Sequence, residues 1–205
     1  LHPNDILVLL YYYLVKYKGW KGPVVRNICT THRLDRMAEE FGQHCYEVPV
    51  GFKHISAKMY ATDAVIGGES SGGLTVRGHI KGKDGIYAAA LLVEMLAVTG
   101  KKMSEIAAEI EDKFGRIFME ERDYKFNQEK KEHIKKILLE DKKMPALPFE
   151  VEKVSYLDGC KVYFKNGGWV TARFSGTEPL LRIFCEMQSE EDAVEVCGIY
   201  EEFLG

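Results

Sequence analysis

An almost unbroken apolar run from Ile6 to Val15, followed by Lys16 and closed by Gly19, opens the chain. With Asn4 or Asp5 as cap, the pattern predicts a helix reaching about Lys18. Beyond Pro23 the texture changes: Val24 to Thr30 is rich in β-formers, Arg33 to Phe41 has helical spacing with Gly42 as terminator, and Cys45 to Val50 reads as extended. Ile55 to Tyr60 predicts a short helix and Ala64 to Ile66 a short buried strand, with glycine-rich 67–73 as the loop that follows.

Asp84 to Val98 predicts a helix, its apolar stripe read as Ile86, Ala89, Ala90, Val93 and Leu96 or Ala97. Another helix is expected from Ser104 to Phe114, with Glu105 and Glu109 near its positive end. Strands alternating with helices imply a mixed α/β domain. Gln128 to Lys143 reads as a charged amphipathic helix, and Pro145 and Pro148 mark a connection. Four short strands then follow at 151–155, 160–164, 168–174 and 181–187, with Asp158-Gly159 and Asn166-Gly167 as turn signals. A closing helix starts near Ser189 with an apolar stripe of Val194, Cys197, Tyr200 and Phe203. The expected fold is an α/β mixed-sheet domain followed by a small α+β domain, an antiparallel sheet with helices. The expected divisions are 1–21, a helix of a truncated preceding domain, then 22–126 and 127–205.

At 205 residues and 46% hydrophobic content the chain can bury a substantial core. Its formal charge of -3, with basic residues scattered, points away from nucleic acid and from anionic membranes, so any anion must be bound locally. Cys29, Cys45, Cys160, Cys185 and Cys197 are odd in number and lack CxxC spacing, which suggests reduced, buried thiols and a cytoplasmic protein. The six histidines form no recognisable metal box, and no metal site is expected in this chain. His79 alone, lying between the glycine-rich loop and Lys83, merits attention.

Two loops carry candidate chemistry. In Gly67-Gly68-Glu69-Ser70-Ser71-Gly72-Gly73, the glycines allow close ligand approach, and Glu69 and Ser71 offer the acceptor and donor groups that grip sugar hydroxyls. A glycine turn with a solvated Glu explains the composition equally well. The glycine spacing matches neither the dinucleotide fingerprint nor a phosphate loop of the GxxxxGK[ST] kind. The second loop is Arg173-Phe174-Ser175-Gly176-Thr177-Glu178-Pro179, followed by Arg182. Hydroxyls, backbone amides and an Arg fork converge there as a phosphate requires, although a strand turn with an Arg–Glu178 salt bridge is the plainer alternative.

Together the loops resemble those of the α-D-phosphohexomutases, the phosphoglucomutase/phosphomannomutase family. The first loop and Arg77-Gly78-His79-Ile80-Lys81-Gly82-Lys83-Asp84-Gly85-Ile86 resemble the sugar-binding loop and helix start of that family's third domain. RFSGTEPLLR resembles the phosphate-binding loop of its fourth, and the two motifs stand in the family's order. The resemblance implies that Glu69 and Ser71 hold ring hydroxyls. Gly51, Phe52 and Lys53 would contact the opposite sugar face. Arg173, Ser175, Gly176, Thr177 and Arg182 would hold the phosphate that is not reacting. Lys83 matches a lysine that in some relatives contacts the phosphosugar and assists proton transfer; as a bare residue it is equally a solvated helix-end lysine.

The implied activity interconverts hexose 1-phosphate and hexose 6-phosphate, glucose favoured and mannose allowed, through a bisphosphorylated sugar. Many bacterial relatives carry His where this chain has Gly73, so no role for that His transfers. The Ser-His-Asn and Asp-x-Asp-x-Asp motifs of the family's first two domains do not occur in the sequence. The resemblance therefore implies Mg²⁺ and glucose 1,6-bisphosphate for a full-length enzyme and none for this chain, which is expected to be inactive alone. Its implied partners are a phosphorylated hexose and the N-terminal domains of the same polypeptide, with neither nucleic acid nor membrane. A stand-alone sugar-phosphate binding or regulatory module is the alternative of a different class.

Overall fold

The computed structural model describes every residue except Thr177 and Pro179. Its backbone forms two compact units, Leu1–Arg116 and Ile117–Gly205.

The first unit contains a four-stranded sheet of β1 (Val24–Asn27), β2 (Cys45–Val48), β3 (Ile66–Gly68) and β4 (Leu74–Val76) in the order β2-β1-β3-β4. Here β1 runs parallel to both β2 and β3, while β4 is antiparallel to β3. Every residue of β1 is buried, as expected of a central parallel strand covered on both faces. Around it lie α1 (Pro3–Tyr12), α2 (Arg33–Glu40), α3 (Phe52–Thr62), α4 (Gly85–Thr99) and α5 (Met103–Phe114).

The N-terminal helix is held differently from the sequence expectation. Its cap is His2, whose Nδ1 accepts from the Asn4 amide at 3.2 Å, and Asp5 accepts from the His2 amide at 3.1 Å. A π turn, Tyr13–Tyr17, extends it. Leu7 through Leu14 are all buried, so this helix has no solvent stripe and sits within the unit's core. Within this chain α1 packs on α2, α4, α5 and β3.

A second correction concerns α4. Ile86 is 87% and Val93 66% exposed, whereas Ala88, Leu91 and Met95 face the core. With Glu94 the only charged residue in that helix, the sequence offers little polar contrast to choose one side over the other. Similarly α3 starts at Phe52, three residues before the expected position, so Phe52 and Lys53 belong to a helical first turn, with Gly51 as its cap at φ 127°. The strand expected at Ala64 to Ile66 instead runs from Ile66 to Gly68 and takes in the first two loop glycines.

The second unit is a five-stranded antiparallel sheet, order β5-β9-β8-β7-β6, made by β5 (Phe118–Lys125), β6 (Val151–Ser155), β7 (Cys160–Phe164), β8 (Trp169–Phe174) and β9 (Leu180–Met187). One face packs Val162, Val170, Ile183 and Cys185 against α6 (Gln128–Lys135) and α7 (Glu190–Leu204). The face of α7 is Ala193, Val196, Cys197, Tyr200 and Leu204; Val194, placed on the stripe by sequence, is 42% exposed. Because β5 pairs along its whole length with β9, it belongs to the second unit, which begins at Ile117. This strand escaped sequence reading because Glu120 to Asp123 fill its middle with charge.

Candidate functional site

In the first unit the chain passes from β1 out to β2 on one side, then crosses to β3 on the other. The gap beyond the carboxyl ends of β1 and β3 is thus a topological switch point, the place where open α/β sheets bind ligands. Asn27 ends β1, and Glu69 follows β3 directly. Glycines 67 and 68 bring the strand there under tight packing. A Cβ on Gly67 would come within 2.5 Å of Met59 Sδ, and one on Gly68 within 2.9 Å of Leu7 Cδ1.

Glu69 is only 4% exposed. Its Oε1 accepts from Asn27 Nδ2 at 3.2 Å and from the Gly51 amide at 3.0 Å, while Oε2 lies 2.9 Å from Lys83 Nζ. The Asn27 carboxamide is oriented in turn, since its Oδ1 accepts from the Cys29 amide at 2.9 Å and Thr30 Oγ1 at 2.8 Å. Thr30 Oγ1 itself accepts from the Ser70 amide at 3.1 Å. A buried carboxylate needs such donors, and this chain of bonds fixes it at the mouth of the switch point.

Lys83 lies 5.4 Å from the centroid of the Phe52 ring. Ser71 and Lys53 are exposed beside this cluster in sequence, and Phe52 is half-buried. His79 proves structural in its contacts: its Nε2 lies 2.8 Å from Asp84 Oδ2, and its ring stacks on Tyr87 at 4.0 Å. Asp84 also accepts from the Tyr87 amide at 2.9 Å and so caps α4. That backbone bond, with His79 second, holds the Asp84 carboxyl below its ordinary value. Asn27 and Thr30 are the members that sequence reading missed as site residues. The signal was thin: one Asn at a strand end and a Thr-Thr pair.

In the second unit Arg173 and Arg182 stand directly opposite one another on β8 and β9. Like charges in cross-strand register repel, and carboxylates offset this pair. Arg173 Nε lies 3.4 Å from Asp158 Oδ2, and Arg182 Nε lies 3.4 Å from Asp123 Oδ1. Arg182 Nη2 donates to Glu178 Oε2 at 3.0 Å, the salt bridge anticipated as the plainer reading of this loop. Both Nε atoms are buried without a hydrogen-bond acceptor among the described residues. The Ser175 amide donates to Leu180 O at 2.9 Å and closes the turn, and Ser175 Oγ accepts from the Glu178 amide at 3.3 Å. Gly176 is exposed at the tip, and the expected ligand Thr177 lies outside the described residues.

Among the described residues no group of three or more His, Cys, Asp or Glu side chains is placed to hold a metal ion, and no helix is long and apolar enough to cross a membrane.

Fold and side-chain placement together define an α/β chain with a polar cluster at a topological switch point, joined to a second unit that presents paired arginines. Residues 2–114 match the model of phosphoglucomutase/phosphomannomutase alpha/beta/alpha domain III, and residues 96–198 match that of the same family's C-terminal domain. The chain belongs to the phosphoglucomutase/phosphomannomutase family. The domain III match takes in α1, in agreement with the burial of that helix. A phosphoglucomutase/phosphomannomutase of Thermococcus kodakarensis is 33% identical over 174 residues, 85% of this chain and 36% of that protein. A phosphoglucosamine mutase of Acetivibrio thermocellus is 31% identical over 186 residues, 89% of this chain and 38% of its own. A crystal structure from Thermus thermophilus, described as a phosphomannomutase, superposes with a TM-score of 0.79 at 30% identity, covering 99% of this chain and 40% of that one. The chain thus spans about two fifths of the length of these relatives.

Proposed function

We propose that this chain supplies the sugar-holding and phosphate-holding parts of a hexose-phosphate mutase, which interconverts hexose 1-phosphate and hexose 6-phosphate through a bisphosphorylated sugar. The observation that carries this reading is the Glu69 carboxylate, buried and locked on one oxygen by Asn27 and Gly51, with the other turned towards Lys83. An oxygen held in this way accepts a sugar O–H without reorganising, and the adjacent ammonium donates to a hydroxyl oxygen.

Gly51, Phe52, Lys53 and Ser71 complete the sugar side in this proposal; Arg173, Ser175, Gly176, Thr177 and Arg182 form the anion side. Gripping the unreactive phosphate lets remote binding energy orient the reacting end. Lys83 would hold or move a proton at a sugar oxygen. The relatives' names leave glucose, mannose and glucosamine phosphates as candidate substrates. Phosphoryl transfer needs a nucleophile and a cation to offset developing charge. The sequence holds neither the Ser-His-Asn nor the acidic metal motif, so no step of that transfer is assigned to this chain. Purified alone, it should not convert glucose 1-phosphate even with Mg²⁺ and glucose 1,6-bisphosphate.

Calorimetric titration with glucose 1-phosphate, mannose 1-phosphate and glucose 1,6-bisphosphate tests the reading. Binding should weaken by about tenfold or more in Glu69→Gln and in Arg173→Ala, since each loses a charge-assisted bond of roughly 1.5–3 kcal/mol. Affinities unchanged in both variants would contradict it.

A further inference from the structure

We propose that Gly73 is a specificity-determining position: by lacking a side chain it seats Lys83 on Glu69, and the resulting ion pair selects hexose phosphates with neutral hydroxyls over amino-hexose phosphates. The seat is visible in the packing. A Cβ at position 73 would lie 2.5 Å from both Cδ and Cε of Lys83 and 3.0 Å from its Nζ. The lysine stem therefore runs through the space a side chain would take, and Nζ emerges 2.9 Å from Glu69 Oε2. One partner can yield and the other cannot. Lys83 is 51% exposed and flexible, whereas Glu69 is 4% exposed and tied through Oε1 to Asn27 and Gly51. Any side chain at 73 would push Lys83 towards solvent and leave the carboxylate in place. The backbone tolerates the change, because Gly73 is absent from the positive-φ glycines and its carbonyl continues to accept the Glu69 amide at 2.9 Å.

The consequence for ligand choice follows from charge. Seated, Lys83 neutralises Glu69 and offers a paired acceptor and donor, which suits a hydroxyl. An amino sugar whose amine is protonated meets a like charge or must displace the lysine. Without Lys83 the same Glu69, still held by Asn27 and Gly51, has no cation beside Oε2 and attracts an ammonium. This selectivity rests on the reading of Glu69 as a sugar-hydroxyl ligand; the seat itself does not.

Two measurements separate those parts. In a urea double-mutant cycle, Gly73→Ala and Lys83→Ala remove the same contact, so Gly73→Ala should lower the midpoint in the wild-type background more than in the Lys83→Ala background. The loss of unfolded-chain freedom that accompanies Gly→Ala is common to both arms and cancels. Additive effects would overturn the seat. Calorimetry then compares glucose 6-phosphate with glucosamine 6-phosphate at a pH where the amine is protonated. The wild type should prefer glucose 6-phosphate about tenfold. The preference should vanish or reverse in Gly73→Ala and Lys83→Ala and persist in Lys83→Arg. The same ratio in all four proteins would overturn the selectivity. Failure of every protein to bind either sugar would remove the mutase reading and the selectivity with it, while the cycle still decides the seat.

Discussion

At the scale of single residues, Asn27 stands out because its side chain serves three partners at once: it donates to Glu69 and accepts from the Cys29 amide and the Thr30 hydroxyl. Asn27→Ala strands all three within a buried cluster, so a loss of about 1–3 kcal/mol is expected in urea unfolding. Asn27→Asp keeps the acceptor but sets a second carboxylate against Glu69, and should cost more. A midpoint unchanged by Asn27→Ala would show that this bonding does not hold the loop. Nothing about Asn27 could have been legible in sequence, since its role depends on the crossing of β3 beside β1. Glu69 was legible as a candidate because four glycines surround it; its burial and its lysine partner were not, because Lys83 approaches from fourteen positions further along.

Elements were read well where turn chemistry or capping marks them. Asp158-Gly159 and Asn166-Gly167 bracket β7, and both glycines adopt positive φ, 83° and 85°. Ser189 caps α7 through the Asp192 amide as its spacing suggests. Elements were misread where polarity gives no contrast or the wrong one: β4 is three residues long, β5 is charged in its middle, and α4 is apolar on both sides. The observed face of α4 makes a sharp test. Leu91→Ala should cost roughly 2–5 kcal/mol, and Val93→Ala, on the exposed side, less than about 0.5 kcal/mol. A larger cost for Val93→Ala than for Leu91→Ala would mean that the helix is turned the other way.

Acidic pairs on the same unit add a pH dependence. The Lys18 ammonium, with the Tyr13 hydroxyl, lowers the Glu94 pKa below its ordinary 4.5, and Lys101, with Lys16, does the same for Glu109. A depressed folded value means that the unfolded chain binds protons more readily, so these pairs contribute fully above pH 4.5 and their contribution fades as the pH falls through the folded values. The stability gap between wild type and the Glu94→Gln, Glu109→Gln double variant should therefore be constant near neutrality and shrink below pH 4.5. Both pairs are partly exposed, so the gap should be modest and reduced by salt.

For the whole molecule, the two-unit organisation and the fold class of each unit followed from strand and helix texture, while the boundary did not. Locating it required the pairing of β5 with β9 across some sixty residues of sequence, a contact that no local pattern announces. The same limit applies to the opening helix, whose uniform apolarity reports burial but not the identity of the core that buries it. Family membership fixes the architecture; the polar cluster at the switch point and the arginine turn are where the proposed function puts the ligand. The most direct test is NMR mapping of the intact chain titrated with glucose 1-phosphate. The Glu69 reading predicts that shifts gather at the Gly51 and Ser70 amides, the Asn27 side-chain amide, and the Ser175 and Gly176 amides. Saturable shifts elsewhere, with these resonances unmoved, would contradict it.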